Sequence, residues 1–353
     1  MQKLSFEGIY CWSEWQPDRN VFFNSYFVRR TGGNVAIDPL AWTADDEKQI
    51  EELGGVATII VTNRDHERKA RLLAESFGAK LAASEKDAPL LSGPVDRLLH
   101  DGEEAFAGAR VIALDGLKSP GEIALALPDA EAAIVGDALW GDPAGSVRLL
   151  PDAKLLDPEA AVLSLRKLWA LQLEVLLVGD GASIFGGADR IIGAYLQSRS
   201  GVFVNRINLD ELPSREIDAA GDFAAACSEI GRLIGARKLG YQVTTLQPGK
   251  KFCPMHAHQL EEEMFFVLDG EPTIRTPRGK YVCRRGDVIA FPVGDAGTHQ
   301  LLNESGKPCS VFLLGTSEPE EVALYPDSKK VWVRGRGLRL RTQPQLDYYD
   351  GET

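Results

Sequence analysis

The amino-acid sequence predicts an α+β protein with two domains, in which a layered α/β domain precedes a closed antiparallel barrel or jelly roll. The chain has 353 residues, of which 44% are hydrophobic, and a chain of this length ordinarily divides into more than one domain. Strand-like and helix-like patterns alternate as far as about residue 200. From Gly240 onward, turn signals such as QPGK, TPRGK and RRGD separate short runs of β-branched and aromatic residues.

Strands and helices alternate along the first domain. Residues 66–78 have helical periodicity, which Gly78 ends. Asp157 and Pro158 are typical of the N-cap and first position of a helix, which we expect to extend to about Leu171. The strand-like runs lie at 56–62, 132–140 and 173–181.

A change of character separates the two domains. Residues 205–225 are polar and acidic and contain a proline, so we interpret them as a linker between a domain at 1–204 and a domain at 226–353. In the second domain, Asp269 and Gly270 stand between two strand-like runs and predict a hairpin.

Charge and composition exclude several classes of partner. The formal net charge is −12, without a run of basic residues, and this disfavours nucleic acid and membrane surfaces. The N-terminus lacks the features of a signal peptide, and no run approaches the ~20 apolar residues that cross a bilayer. Five cysteines without a C-x-x-C pair suit reduced thiols. We therefore expect a cytoplasmic protein.

Two of the five histidines lie one residue apart in the stretch CPMHAHQLEEEMFFVLDG, residues 253–270. On a strand, His256 and His258 would project from the same face. Glu263 begins the next strand, and His299 lies in a third strand-like run. Three imidazoles and one carboxylate would form a mixed nitrogen and oxygen site for one divalent metal such as Zn, Fe, Mn or Ni. Surface histidines beside a solvated acidic run are the alternative.

Glycines accompany these ligands in two motifs. The first consists of Gly249, His256, His258, Glu263 and Gly270, and the second of Gly286, Pro292, Gly294, His299 and Asn303. Residues 226–330 therefore resemble the cupin superfamily, with one extra residue before the histidine pair and two before His299. The segment is most similar to uncharacterised single-domain cupins with an EEE run and a YPDS segment. The resemblance implies a double-stranded β-helix, or jelly-roll, barrel in which Glu263 is the carboxylate ligand.

Strand alternation predicts the surroundings of this site. With Glu263 inward, Phe265 and Val267 also face inward, and Leu301 and Asn303 share a face with His299, so that these residues line a largely apolar cavity. Glu261 and Glu262 are assigned to a turn or to positions behind the ligands. Cys253 is out of phase with the histidines unless Pro254 breaks the strand.

The first domain resembles the metallo-β-lactamase fold through residues 24–42 and the run VTNRDHERKA that begins at Val61. The resemblance covers about residues 15–200 and implies an αββα sandwich. The family carries His-x-His-x-Asp-His, whereas this chain has VTNRDH, in which both leading histidines are lost. Lys118 replaces the next histidine, Asp137 retains the bridging aspartate, and Asp180 stands where the last histidine is expected.

These losses would remove every histidine of the first metal position. The second position retains a set that suits either a single ion or a hydrogen-bonded remnant that stabilises loops, namely Asp65, His66, Asp137 and Asp180. We interpret the domain as a pseudo-enzyme used for binding or dimerisation.

The leading functional hypothesis is an enzyme that acts on a small organic molecule at the barrel metal, as an oxygenase or isomerase. The first alternative is a non-catalytic module that senses a small molecule, and the second is a hydrolase that uses one metal in the first domain. A homodimer is expected because cupin barrels expose sheet edges that often pair.

Overall fold

The computed structural model describes residues 1–6, 8–212 and 214–352, excluding the side chains of residues 218 and 219. The chain forms two compact units, Met1–Val204 and Asn205–Thr353.

The first unit contains two sheets. The first sheet is antiparallel from β1 to β4 and parallel from β4 to β7, and its strands follow chain order: β1 (Gln2–Lys3), β2 (Ile9–Gln16), β3 (Val21–Val28), β4 (Val35–Ile37), β5 (Thr58–Val61), β6 (Lys80–Ser84) and β7 (Arg97–Leu99). The second sheet has the order β12-β11-β10-β9-β8, and its strands are β8 (Glu104–Phe106), β9 (Ala109–Ala113), β10 (Ile123–Leu127), β11 (Ala132–Val135) and β12 (Val175–Val178).

Helices cover the outer faces of both sheets. They are α1 (Ala44–Glu52), α2 (Ala70–Phe77), α3 (Pro158–Ser164), α4 (Arg166–Trp169) and α5 (Ala188–Ser198). Ile50 of α1 and Leu73 of α2 pack on the first sheet, whereas Val162 of α3 and Ile192 of α5 pack on the second. A further core lies between the sheets and includes Tyr26, Val28, Ile37, Ile60, Val111, Leu125, Ile134 and Leu177. The layers therefore follow the predicted order αββα.

Local signals explain the helix boundaries. The Asp157 carboxylate accepts a hydrogen bond from Ala160 N at 3.0 Å and Pro158 is the first helical residue, which confirms the predicted N-terminus. Gly78 ends α2 with a φ of 63°, in the left-handed region that glycine tolerates. The predicted helix from residue 66 starts later, because Arg64–His66 form a separate 3₁₀ turn.

The second unit is antiparallel throughout its described strand pairs. Its strands are β13 (Arg215–Ala220), β14 (Phe223–Glu229), β15 (Leu239–Leu246), β16 (Ala257–His258), β17 (Glu263–Asp269), β18 (Thr273–Thr276), β19 (Gly279–Val282), β20 (Val288–Phe291), β21 (Gln300–Leu302), β22 (Cys309–Thr316), β23 (Val322–Tyr325), β24 (Lys330–Val333) and β25 (Leu338–Arg341). They form three sheets with the orders β13-β14-β15-β22-β17-β20, β19-β18-β21 and β16-β23-β24-β25. Buried side chains from the first two sheets, including Leu246, Phe265, Ile274 and Leu301, form its core.

The structure differs from the predicted linker at 205–225. This range contains β13 and the first residues of β14, which belong to a sheet of the second unit. Its proline, Pro213, lies outside the described residues. Arg215, Glu216 and Ile217 of the edge strand β13 are exposed, so this stretch lacks the apolar alternation that marks a half-buried strand.

The hairpin predicted at Asp269 and Gly270 is wrong. β17 and β18 belong to different sheets, and Gly270, with a φ of 77°, turns the chain from one sheet to the other. A Cβ at this position would lie 2.6 Å from Pro308 O and 2.7 Å from the Cα of Cys309. The glycine therefore permits a close approach to the start of β22 as well as an unusual φ.

We predict that Gly270→Ala destabilises the barrel more than Gly286→Ala does. Both glycines have positive φ values, so each substitution incurs about 1 kcal/mol of backbone strain. A Cβ at Gly270 would also clash with backbone atoms, which adds about 2 kcal/mol to the cost of that substitution. A Cβ at Gly286 would meet no atom within 4 Å. Denaturant unfolding of both variants measures the difference, and equal losses of stability would contradict it.

Candidate metal centre

Four side chains from three segments converge on one point in the barrel. His256 lies directly before β16 and His258 ends it, whereas Glu263 begins β17 and His299 directly precedes β21. Backbone hydrogen bonds join His256 and His299 in both directions, at 3.0 and 2.9 Å. The structure therefore brings together all four residues that the sequence analysis selected.

The three histidines approach the carboxylate of Glu263 through their Nε2 atoms. Oε2 of Glu263 lies 3.2 Å from Nε2 of His299, 3.4 Å from that of His258 and 4.0 Å from that of His256. The Nε2 atoms of His256 and His258 are 3.0 Å apart. His256, His258 and Glu263 satisfy the distance requirement for a shared ion, since their ligand atoms all lie within 4.8 Å of one another.

The opposite ring nitrogen of each histidine has its own partner. Nδ1 of His256 lies 2.9 Å from Pro254 O, and Nδ1 of His299 lies 2.8 Å from Gly297 O. Nδ1 of His258 lies 3.1 Å from the carboxylate of Glu321. Acceptors at Nδ1 favour the tautomer whose Nε2 has a free lone pair, which is the arrangement that metal-binding histidines use.

Glu321 was missed by the sequence analysis. It is fully buried, and its carboxylate accepts hydrogen bonds from the backbone N–H groups of residues 259, 260 and 261, each at 2.9 Å. It thereby fixes the loop that connects His258 to Glu263. Glu321 belongs to the run EPEE, whose spacing does not distinguish it from Glu318 or Glu320.

The other two glutamates of the EEE run have separate positions. Both carboxylate oxygens of Glu261 contact the guanidinium of Arg334, one of them at 2.8 Å, and Glu318 N donates to it at 2.7 Å. Glu262 is exposed. Glu261 therefore lies behind His258 in an ion pair with the partly exposed Arg334, as the assignment to a position behind the ligands predicts.

Burial and neighbouring charges set the protonation of the centre. Burial and the proximity of His299 lower the pKa of His256 to about 4, so this imidazole is neutral near pH 7. Although burial raises it, contacts with His258 and His299 hold the pKa of Glu263 well below its usual range. A neutral imidazole beside an ionised carboxylate is a suitable ligand pair for a divalent cation.

Aromatic and aliphatic side chains surround the centre. The predicted lining residues Phe265, Val267 and Leu301 are buried. Phe291, which the sequence analysis did not select, stacks on His299 with ring centroids 3.8 Å apart. Asn303 does not contribute a polar group to the cavity, because its side-chain atoms bond to the backbone of residues 246, 305 and 307 and to the hydroxyl of Ser305.

Cys253 is closer to the centre than strand alternation predicts. Its Sγ lies 3.7 Å from Nδ1 of His256, because β16 is short and residues 253–256 are not part of a strand. Burial raises the pKa of this thiol well above its usual range, so it is present as a thiol rather than a thiolate.

The corresponding centre of the first unit is assembled differently. His66, Asp137 and Asp180 follow β5, β11 and β12 and are buried, and Nε2 of His66 lies 3.8 Å from Asp137 and 3.6 Å from Asp180. Asp65, which the sequence analysis placed with them, instead pairs with Lys118 at 2.8 Å where both side chains are about one-third exposed. Asp65 and Lys118 therefore neutralise each other away from this cluster.

Arg68 provides positive charge inside the cluster. Its Nη2 lies 3.2 Å from Oδ1 of Asp180 and 3.3 Å from Nε2 of His66, and its Nη1 donates to Asn24 O at 2.7 Å. Nδ1 of His66 contacts Asp38 at 2.8 Å. The ligand atoms of His66, Asp137 and Asp180 lie within 4.8 Å of one another, as a shared ion would require, but the Arg68 guanidinium already places a positive charge against His66 and Asp180.

Neighbouring carboxylates favour the protonated form of His66. Burial and Arg68 lower the pKa of His66, but Asp38 and Asp180 outweigh them and raise it to about 10. Burial raises the pKa of Asp137, whereas contacts with His66 and Arg68 lower that of Asp180 despite its burial. An internal network of two cations and their carboxylates therefore stabilises these loops.

Comparison with protein families places both units. Residues 1–195, more than half of the chain, match the family model described as the metallo-beta-lactamase superfamily. The chain belongs to the metallo-beta-lactamase superfamily. Residues 242–315 match the model of the cupin domain, so the predicted fusion of these two folds is confirmed. No curated protein matches this superfamily member at a significant level.

Several solved structures are similar to parts of this superfamily member. A metallo-beta-lactamase from Pontibacter korlensis is 17% identical over 56% of this chain and 98% of its own, with a TM-score of 0.47. A metallo-beta-lactamase family protein from Thermus thermophilus is 21% identical over 54% and 78%, with a TM-score of 0.43. A putative sugar phosphate isomerase from Acidithiobacillus ferrooxidans is 22% identical over 39% and 90%, with a TM-score of 0.37.

Among residues 1–6, 8–212 and 214–352, every helix is too short or too polar to cross a membrane.

We predict that Arg68→Met lowers the free energy of unfolding by about 3 kcal/mol, because it removes one of the two cations that compensate the buried carboxylate of Asp180. Arg199→Met is the matched control, since Arg199 pairs at 2.6 Å with Asp152, a partner that is 57% exposed. Breaking that surface pair is expected to change stability by less than about 1 kcal/mol. Denaturant titration measures both, and similar losses would contradict the buried network.

We also predict that the stability of the first unit falls as pH rises above neutrality. The pKa of His66 is higher in the folded chain than in the unfolded chain, so its contribution is present below about pH 6.5 and is lost as pH rises towards 10. The loss between about pH 6.5 and 8.5 is of the order of 2 kcal/mol. His66→Gln should remove this part of the pH dependence, and an unchanged profile in the variant would contradict it.

Proposed function

We propose that the barrel binds one divalent metal through His256, His258, Glu263 and His299 and that the site acts on a small organic molecule, as an oxygenase or isomerase. One observation carries the proposal. Oε2 of Glu263 and Nε2 of His299 are buried and lack a hydrogen-bond partner among the described residues, although they lie 3.2 Å apart at the point of convergence.

Burial of such atoms without a hydrogen-bond partner destabilises a folded protein. A buried polar atom that forms no hydrogen bond costs about 1 to 3 kcal/mol, and native structures contain few of them. A divalent cation at the convergence point would satisfy both atoms at once. The neutral state of His256 and the partners of the three Nδ1 atoms support the same ligand set.

A divalent metal bound there would supply Lewis-acid chemistry or a centre for oxygen chemistry. The remaining contributions come from the chain itself. Phe265, Phe291 and Leu301 exclude water from one side of the centre, because all three are buried against it or in the adjoining core. Glu321 holds the Nδ1 proton of His258 and so keeps this ring in one orientation.

We further propose that the first unit is non-catalytic. The loss of the leading histidines of its motif, the displacement of Asp65 towards Lys118 and the position of Arg68 support this role. The unit retains the fold of the superfamily, and its own cations would replace the charge of an ion.

Elemental analysis of the purified full-length protein tests the proposal. We expect about one equivalent of metal in the wild type and its loss in His256→Ala/His258→Ala, because a single carboxylate and one imidazole cannot retain it. His100→Ala is the control, since His100 is an exposed histidine paired with Glu85 in the first unit. Metal retained by the double variant, or absent from the wild type, would overturn the assignment.

A further inference from the structure

The sheet that carries His258 continues beyond the metal centre. In the strand register, His258 is opposite Ala323, Ala323 is opposite Trp332, and Trp332 is opposite Arg339. Directly paired residues project from the same face of a sheet. Trp332 and Arg339 therefore extend the face from which His258 reaches the centre.

A second row lies beside the first on the same face. Tyr325 is two residues from Ala323 and is opposite Lys330, which is itself opposite Arg341. The intervening residues of β25, Leu338 and Leu340, point to the other face because side chains alternate along a strand. One face thus carries the histidine ligand, two aromatic rings and three cations.

Ring contacts connect this face to the centre. Tyr325 stacks on the ligand His256, with ring centroids 6.0 Å apart and planes inclined by 25°. The Lys330 ammonium lies 5.2 Å from the centre of the Tyr325 ring, and the Arg339 guanidinium lies 5.2 Å from that of Trp332. Both cations are therefore placed over aromatic side chains, and the ring under Lys330 stacks on a proposed metal ligand.

Among the described residues, the cations on this face lack carboxylate partners. In the described part of the chain, neither Lys330 nor Arg339 forms an ion pair, in contrast to Arg334 with Glu261 and Arg275 with Asp327. The chain as a whole has a net charge of −12, so uncompensated positive charge concentrated beside one site is a local reversal. Such a field attracts anions and repels cations.

We propose that the substrate of the barrel site is a small organic oxyanion, that is, a phosphate ester or a carboxylate. Its charged group would contact Lys330, with Arg339 adding to the field, and Tyr325 would support the body of the molecule beside His256. This inference rests on the proposed function of the barrel. It adds the charge of the substrate, which the ligand set alone does not determine.

Calorimetric titration of the metal-loaded full-length protein with inorganic phosphate and with malonate tests the inference at low ionic strength, where screening is weak. We expect Lys330→Met to weaken binding of the preferred anion at least tenfold and Lys330→Arg to retain it. Lys329→Met is the matched control, because Lys329 is on the same hairpin and donates to the side chain of Gln343 at 3.0 Å. Its affinity should equal that of the wild type.

The outcomes separate the two kinds of oxyanion and the two proposals. Stronger binding of phosphate supports a phosphate ester, stronger binding of malonate supports a carboxylate, and each requires dependence on Lys330. Failure of both anions to bind, or equal binding by Lys330→Met, overturns the inference. If the anions fail to bind, or bind independently of Lys330, while the same samples contain one equivalent of metal, only the inference about an anionic substrate fails. A wild type that binds no metal overturns the proposed function itself.

Discussion

The barrel depends on one constraint, which is the convergence of three imidazole nitrogens on a single carboxylate oxygen in a buried place. Oε2 of Glu263 lies within 4.0 Å of Nε2 in His256, His258 and His299. The surrounding contacts maintain this arrangement, since each Nδ1 has an acceptor and Glu321 ties the loop after His258. The sheet register then places Tyr325 against His256 and extends the same face with further aromatic and cationic side chains.

The two units differ in how the charge of their buried carboxylates is compensated. Both collect histidine and carboxylate groups where water is largely excluded, and such groups require compensating charge. In the first unit, Arg68 and a protonated His66 supply that charge from the chain itself. In the barrel, His256 is neutral and two polar atoms at the centre lack partners among the described residues, which is the observation behind the proposed cation. This contrast supports the placement of chemistry in the barrel.

Much of this could be predicted from sequence because the signals are local. Ligand types and spacing selected His256, His258 and His299, the resemblance to the cupin motif selected Glu263 from the EEE run, and the cap at Asp157 marked the start of α3. Residues that act through distant contacts left no such signal. Glu321 lies 63 positions from His258, and Arg68 reaches Asp180 across 112 positions, so neither spacing nor periodicity could reveal them.

The two incorrect predictions, a linker and a hairpin, also have physical causes. The predicted linker contains an exposed edge strand, which needs no apolar alternation, and the turn at Gly270 connects sheets instead of closing a hairpin. Anomalous scattering from crystals of the metal-loaded protein would test the central claim most directly. We expect one peak bonded to Nε2 of the three barrel histidines and to Glu263, and none between His66, Asp137 and Asp180. A peak at the latter position, or an empty barrel, would contradict it.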